Sequence, residues 1–136
     1  MDEAKQATLQ DAGLLVLRVG TGLLMLAGHG FGKLISFSEA SATFPDPLGV
    51  GPVVSMALAI GAEFFCSLLI VVGLFTRFAA VPLLITMLVA ALVVHADDPW
   101  QRKELAVVYL VPFVCLLLSG AGRFSLDAAM LRRLKR

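Results

Sequence analysis

Residues Val50–Thr76 read VGPVVSMALAIGAEFFCSLLIVVGLFT, with a single charged residue, Glu63, near the middle of the run. A helix rises about 1.5 Å per residue, so a run of this length spans a hydrocarbon core of roughly 30 Å. Glu63 then falls close to the bilayer midplane. A carboxylate there costs about 2.5 kcal/mol or more unless it is paired, protonated or turned toward a wet interior. Ser55, Ala59, Ala62, Glu63 and Cys66 recur at helical spacing and share one face. Small residues let helices approach, so this face is expected to look into a bundle. Glu63 is then either a functional intramembrane carboxylate or a structural one that pins helix to helix.

Composition agrees with a membrane setting. Of the 136 residues, 59% are hydrophobic and only 15% charged, and the mean hydropathy is +0.91. Soluble domains carry about 25% charged residues. The net charge of +1 gives no reason to expect a nucleic-acid partner. Cys66 and Cys115 both lie in apolar runs, which is not the pattern of a secreted disulfide framework. The chain has no CxxC, no HExxH and no glycine-rich phosphate loop.

Three further apolar runs flank the first. Gly13–Phe31 is interrupted only by Arg18 and His29, Phe78–Val94 follows directly on Arg77, and Leu105–Gly122 carries no charge. A cleaved leader is not expected, because the segment before Gly13 is acidic and the run after it is too long. On the first run Arg18, Gly22, Met25, His29 and Lys33 fall on one stripe, which should meet Glu63 inside the bundle. Leu34–Gly49 reads as a loop with turn signals at Pro45, Asp46, Pro47 and Gly49. With only Arg77 between them, the second and third runs should form a tight hairpin.

The expected architecture is all-α: an integral membrane four-helix bundle of up-down topology. Residues 1–12 form an amino-terminal segment, 13–122 the transmembrane domain and 123–136 a basic tail. Lys5, Arg77, Arg123, Arg132, Arg133, Lys135 and Arg136 outnumber Lys33, Arg102 and Lys103 on the other side. That bias places both termini in the cytoplasm of a multi-pass protein of a bacterial-type inner (plasma) membrane.

Leu17-Arg18, His29-Gly30, Lys33 and Leu48-Gly49, followed by Glu63, resemble the start of DoxX-family membrane proteins. Gly73-Leu74-Phe75-Thr76-Arg77 and the ending Gly120-Ala121-Gly122-Arg123-Phe124-Ser125-Leu126-Asp127 continue the resemblance, which runs from about Leu14 to Asp127. It implies four transmembrane helices and an association with quinol oxidation, thiosulfate:quinone oxidoreduction or thiol stress. Glycines usual after the Glu63 position are replaced here by Cys66 and Ser67.

Four constellations could carry chemistry. Arg18 and Glu63, if both helices are centred in the bilayer, lie close enough to pair and offset their burial; the alternative is Arg18 snorkelling to the interface. His29 and His95, with Lys33, Asp97, Asp98 and Glu104, gather at the outer end. They suit either a quinone head and its protons or a solvated interfacial cluster. Haem or a metal is disfavoured, because the ligands form no recognised motif. Cys66 and Cys115 read as buried small residues rather than a disulfide. In the tail, Leu126, Met130 and Leu134 share a face flanked by cations, which suits either an anionic inner leaflet or a frayed basic end that only enforces orientation.

The catalytic candidates are therefore Glu63, Arg18, His29 and His95, and the quinone-binding candidates His29, Lys33, Glu63 and His95. The resemblance points to a subunit of a membrane redox system, an oxidoreductase component that exchanges electrons or protons with the quinone pool. Its partners would be the lipid bilayer, quinone, and soluble redox enzymes or further copies of itself. A non-catalytic anchor for soluble enzymes and a small-solute or ion carrier are the rival readings.

Overall fold

The computed structural model describes residues 2–135, so Met1 and the tail residue Arg136 lie outside the described residues. Three helices are long and apolar enough to cross a membrane: Glu3–Ile35, Pro52–Val72 and Thr76–Val94. A fourth, Trp100–Ser119, packs along the third but opens with Arg102, Lys103 and Glu104. A short amphipathic helix, Leu126–Leu134, ends the described chain. No strand occurs among the described residues.

The expected stripes face inward. Arg18, Gly22 and Met25 are buried on the first helix, and Ser55, Ala62 and Glu63 on the second. Met25, Ile70, Leu83, Phe113 and Leu116 fill the core between the helices and are almost completely shielded. The first helix begins at Glu3, well before the apolar run, so the polar amino-terminal residues prolong it instead of standing apart. The segment after Ile35 is less irregular than its composition suggests. It holds a turn of α-helix, Phe37–Ala40, and a 3₁₀ turn, Ser41–Thr43. Cys115 is exposed rather than buried, and both cysteines are free.

The second and third helices join through a tight turn, as the single intervening arginine predicts. Gly73 adopts the left-handed conformation (φ 71°) and ends the second helix. Its N–H bonds to Ile70, and that of Leu74 reaches back to Leu69 at 3.0 Å. This is a Schellman cap, which a residue with a Cβ disfavours. A Cβ at Gly73 would also meet Ser125 and the Arg18 guanidinium at 2.6 and 2.9 Å.

Two other glycines set the height of the first helix against the second. A Cβ at Gly22 would lie 2.7 Å from Val71, and one at Gly30 would overlap the backbone of Glu63 and Phe64. The two helices therefore touch backbone to backbone beside His29 and Glu63. Each of the three apolar helices also widens into a π-turn: Leu26–Gly30, Gly61–Cys66 and Ala90–Val94. An inserted residue of this kind re-aims the side chains beyond it, and such turns recur at functional sites.

Candidate functional site

The three π-turns surround one cavity of about 470 Å³. Its polar lining includes His29 and Lys33 from the first helix, Ser55 and Glu63 from the second, His95 after the third, and Arg102 and Tyr109 from the fourth. Apolar wall comes from Leu58, Ala62, Ile85 and Met87, and the loop residues Phe44, Pro45, Pro47 and Leu48 close over it. Leu58 and Ile85, on this wall, are both more than half exposed. The cavity is therefore partly open, with exposed apolar side chains of the second and third helices on its wall.

Glu63 is 5% exposed, and its partner is Lys33, whose Nζ donates to Oε2 at 2.5 Å. The Lys33 side chain keeps a quarter of its surface exposed, so its remaining N–H groups can face a ligand. The His29 ring meets Tyr109 edge to face with centroids 5.7 Å apart, and Tyr109 in turn stacks on Phe113. At the rim, His95 Nδ1 and Asp98 Oδ2 lie 2.7 Å apart, and Arg102 stands 3.5 Å from the other Asp98 oxygen. The His95 hydrogen bond, helped by the Arg102 charge, holds the Asp98 carboxyl below the usual range.

The loop over the cavity is anchored by Asp46. Its carboxylate accepts from Ser55 Oγ at 2.7 Å and from the N–H groups of Val50 and Gly51 at 3.0 and 2.8 Å. The Ser55 bond first, then the backbone donors, depress the Asp46 carboxyl.

Arg18 is not at this site, and the expected Arg18–Glu63 pair does not form. With Gly30 level with Glu63, Arg18 sits twelve residues lower on the first helix, about 18 Å away. The centring that placed the two groups together fails because the close contacts at Gly22 and Gly30 set the first helix against the second with Gly30, not Arg18, level with Glu63. Arg18 is instead 2% exposed and surrounded by backbone carbonyls. Its guanidinium donates to Ile70 at 3.1 Å, Ala121 at 3.3 Å, Phe124 at 2.5 Å and Val71. Asp127 completes the same knot. Its carboxylate caps the third helix by accepting from the N–H groups of Phe75 and Thr76 at 2.8 and 3.1 Å.

His29, Lys33, Glu63 and His95 are thus brought together, while Arg18 belongs to the opposite end. Tyr109, Asp46, Ser55 and Arg102 were missed as site residues. Tyr109 carried a signal, since the only tyrosine of the chain stands in an apolar helix with a hydroxyl to satisfy. Among the described residues, no group of three or more His, Cys, Asp or Glu side chains is placed to hold a metal ion.

The DoxX family model matches residues 13–96, more than half of the chain. The chain belongs to the DoxX family. The matched region covers the first helix from Gly13 onward, the whole of the second and third, and His29, Lys33, Glu63 and His95, but stops before the Gly120–Asp127 ending. This DoxX protein is 33% identical to an uncharacterized protein of Haemophilus influenzae, with 67% of this chain and 64% of that one aligned. It thus spans just under two thirds of that relative. It is also 33% identical to an uncharacterized membrane protein of Mycobacterium tuberculosis, with 74% of this chain and 77% of that one aligned. No solved structure matches this DoxX chain.

Proposed function

We propose that this DoxX protein is a membrane subunit of a redox system and that the cavity binds a quinone head. The observation that carries the reading is the cavity itself: apolar walls, several converging polar groups, and the exposed Leu58 and Ile85 beside it on two helices apolar enough to cross a membrane. Ligand sites of a few hundred Å³ are mostly apolar with a few converging polar groups. A lipid-soluble head with two carbonyl oxygens fits that division, because Lys33 and Tyr109 donate and His29 and His95 donate or accept. A quinone supplies a two-electron, two-proton couple. In this reading Lys33 and Tyr109 orient the head, Glu63 holds Lys33 in place, and His29 and His95 move protons at their ring nitrogens. The chain has no motif for flavin, iron–sulfur or covalently attached haem, so in this reading the electrons come from a partner or a diffusible substrate.

The same reading makes Trp100–Ser119 a fourth crossing. Its uncharged part, Leu105–Ser119, rises about 22 Å, and Arg102 and Lys103 reach out to headgroups at its start. Both ends of the chain then lie on the cytoplasmic side of a bacterial inner membrane, in keeping with the positive-inside bias.

Trp100, the only tryptophan, stands at the start of the helix that lines the rim, which offers a direct test. Titration of the purified protein in nanodiscs with decylubiquinone should quench its fluorescence saturably. The combined variant Glu63→Gln, His29→Gln, His95→Gln should fold but lose saturation. Linear, unsaturable quenching of the parent, or identical curves for both proteins, would reject the quinone site.

A further inference from the structure

At the end of the molecule away from the cavity, the C-terminal helix lies beside the start of the third helix, and a groove of about 490 Å³ runs between them. Phe75, Phe78, Met130, Leu131 and Leu134 form its apolar lining. Phe78 is 79% exposed and Leu134 81%. Phe78 belongs to a helix apolar enough to cross a membrane, so its ring faces lipid. The groove therefore continues the lipid-facing surface of the third helix onto the C-terminal helix. The charges around it are lopsided. Arg77 lines it, and Arg132, Arg133 and Lys135, all exposed, stand along the C-terminal helix and its end, which form one wall. The one acid in its lining, Asp127, has both oxygens turned inward onto the N–H groups of Phe75 and Thr76.

We propose that this groove is a binding site for an anionic phospholipid. The acyl and glycerol region lies against Phe75, Phe78, Leu131 and Leu134, and the phosphate lies among the cations of the C-terminal helix. Two features select lipid over another occupant: the groove is continuous with a surface already committed to the bilayer, and its charge is opposite to that of an anionic headgroup. An amphipathic helix with basic flanks lies in the interfacial plane and binds by apolar burial plus attraction to anionic lipid. Each cation near such a surface contributes about a fivefold preference, and salt screens it. Held this way, the C-terminal helix would fix the segment that supplies Asp127 and the Phe124 carbonyl to the buried knot.

The test uses the full chain with Cys66→Ala and Cys115→Ala, and an environment-sensitive fluorophore on Leu134→Cys. It is placed in nanodiscs of phosphatidylcholine alone or of phosphatidylcholine mixed with phosphatidylglycerol. The label should move to shorter wavelength and be shielded from aqueous iodide only in the anionic discs. High salt should reverse the shift in the same protein. Arg132→Gln, Arg133→Gln and Lys135→Gln together, all exposed positions, should reduce the preference for phosphatidylglycerol at least tenfold. Equal emission in both discs, or a shift that ignores salt and the triple substitution, overturns the proposal. Shielding that is already complete in phosphatidylcholine alone does the same, since the site would then bind lipid without regard to charge or be covered by protein.

Discussion

Two buried charges, Arg18 on the first helix and Glu63 on the second, have opposite surroundings. Arg18 is enclosed by carbonyls from the end of the second helix and from the chain beyond the fourth, and every contact is to fixed backbone. Glu63 has one side-chain partner, Lys33, and both line a cavity. A charge satisfied by backbone that cannot move is part of the frame, because no ligand can take the place of those carbonyls without unfolding a turn. A charge satisfied by one flexible lysine can exchange that partner for another. The difference separates a structural end of this molecule from a chemically available one.

The largest effect expected is at the structural end. Arg18→Leu leaves the Val71, Ala121 and Phe124 carbonyls without the Arg18 donor, and Ile70 with only the Gly73 N–H, at about 1–3 kcal/mol for each that stays dry and unpaired. Thermal scans of the detergent-solubilised protein should show loss of the cooperative transition or a midpoint lowered by many degrees. Arg18→Lys, with fewer donors and no planar fork, should recover only part of it. A near-parental midpoint for Arg18→Leu would remove the distinction between the two ends.

Next in size is the close approach beside the site. Gly30→Ala drives a methyl group into the Glu63 backbone, a misfit worth about 1–3 kcal/mol. Gly61→Ala, in the π-turn of the second helix but facing open space, should be neutral within about 0.5 kcal/mol. Equal midpoints for the two variants would mean that the helices are not in contact at Gly30.

A double-mutant cycle then tests the pairing directly. Glu63→Gln with Lys33→Met should show a coupling of about 0.5 kcal/mol or more, modest because Lys33 is partly exposed. Glu63→Gln with Arg18→Lys should be additive within about 0.5 kcal/mol, because the groups are far apart. Coupling in the second cycle and none in the first would reverse the assignment of partners.

The smallest effect concerns the loop over the cavity. The Asp46 carboxyl is depressed in the folded protein, so its contribution is fully present above the unfolded value of about 3.9 and fades as pH falls through the lower folded value. Hydrogen exchange at Val50 and Gly51, corrected for intrinsic rates, should lose protection only in that acid range. Asp46→Asn should loosen the same amides at neutral pH. Protection unchanged down through the acid range would show that Asp46 does not hold the loop.

Much of the fold follows from periodicity and run length. The three crossings, the hairpin at Arg77, the inward stripes of the first two helices and the amphipathic tail are all legible, because hydropathy sets burial and 3.6-residue spacing sets faces. The same signals gathered His29, Lys33 and His95 at one end, but they set Glu63 beside Arg18 at mid-depth, and the structure joins it to the other three. Spacing says nothing about the height of one helix against another. That height is decided by where Gly22 and Gly30 let backbones touch, which only the packed molecule shows, and it gives Glu63 to Lys33 rather than to Arg18. The π-turns are equally hidden, since an extra residue in a turn leaves no mark on composition yet re-aims every side chain after it. Arg18 could be recognised as buried from its stripe, but its partners come from chain segments more than fifty residues away. Backbone carbonyls have no residue identity, so the tertiary structure alone could name them.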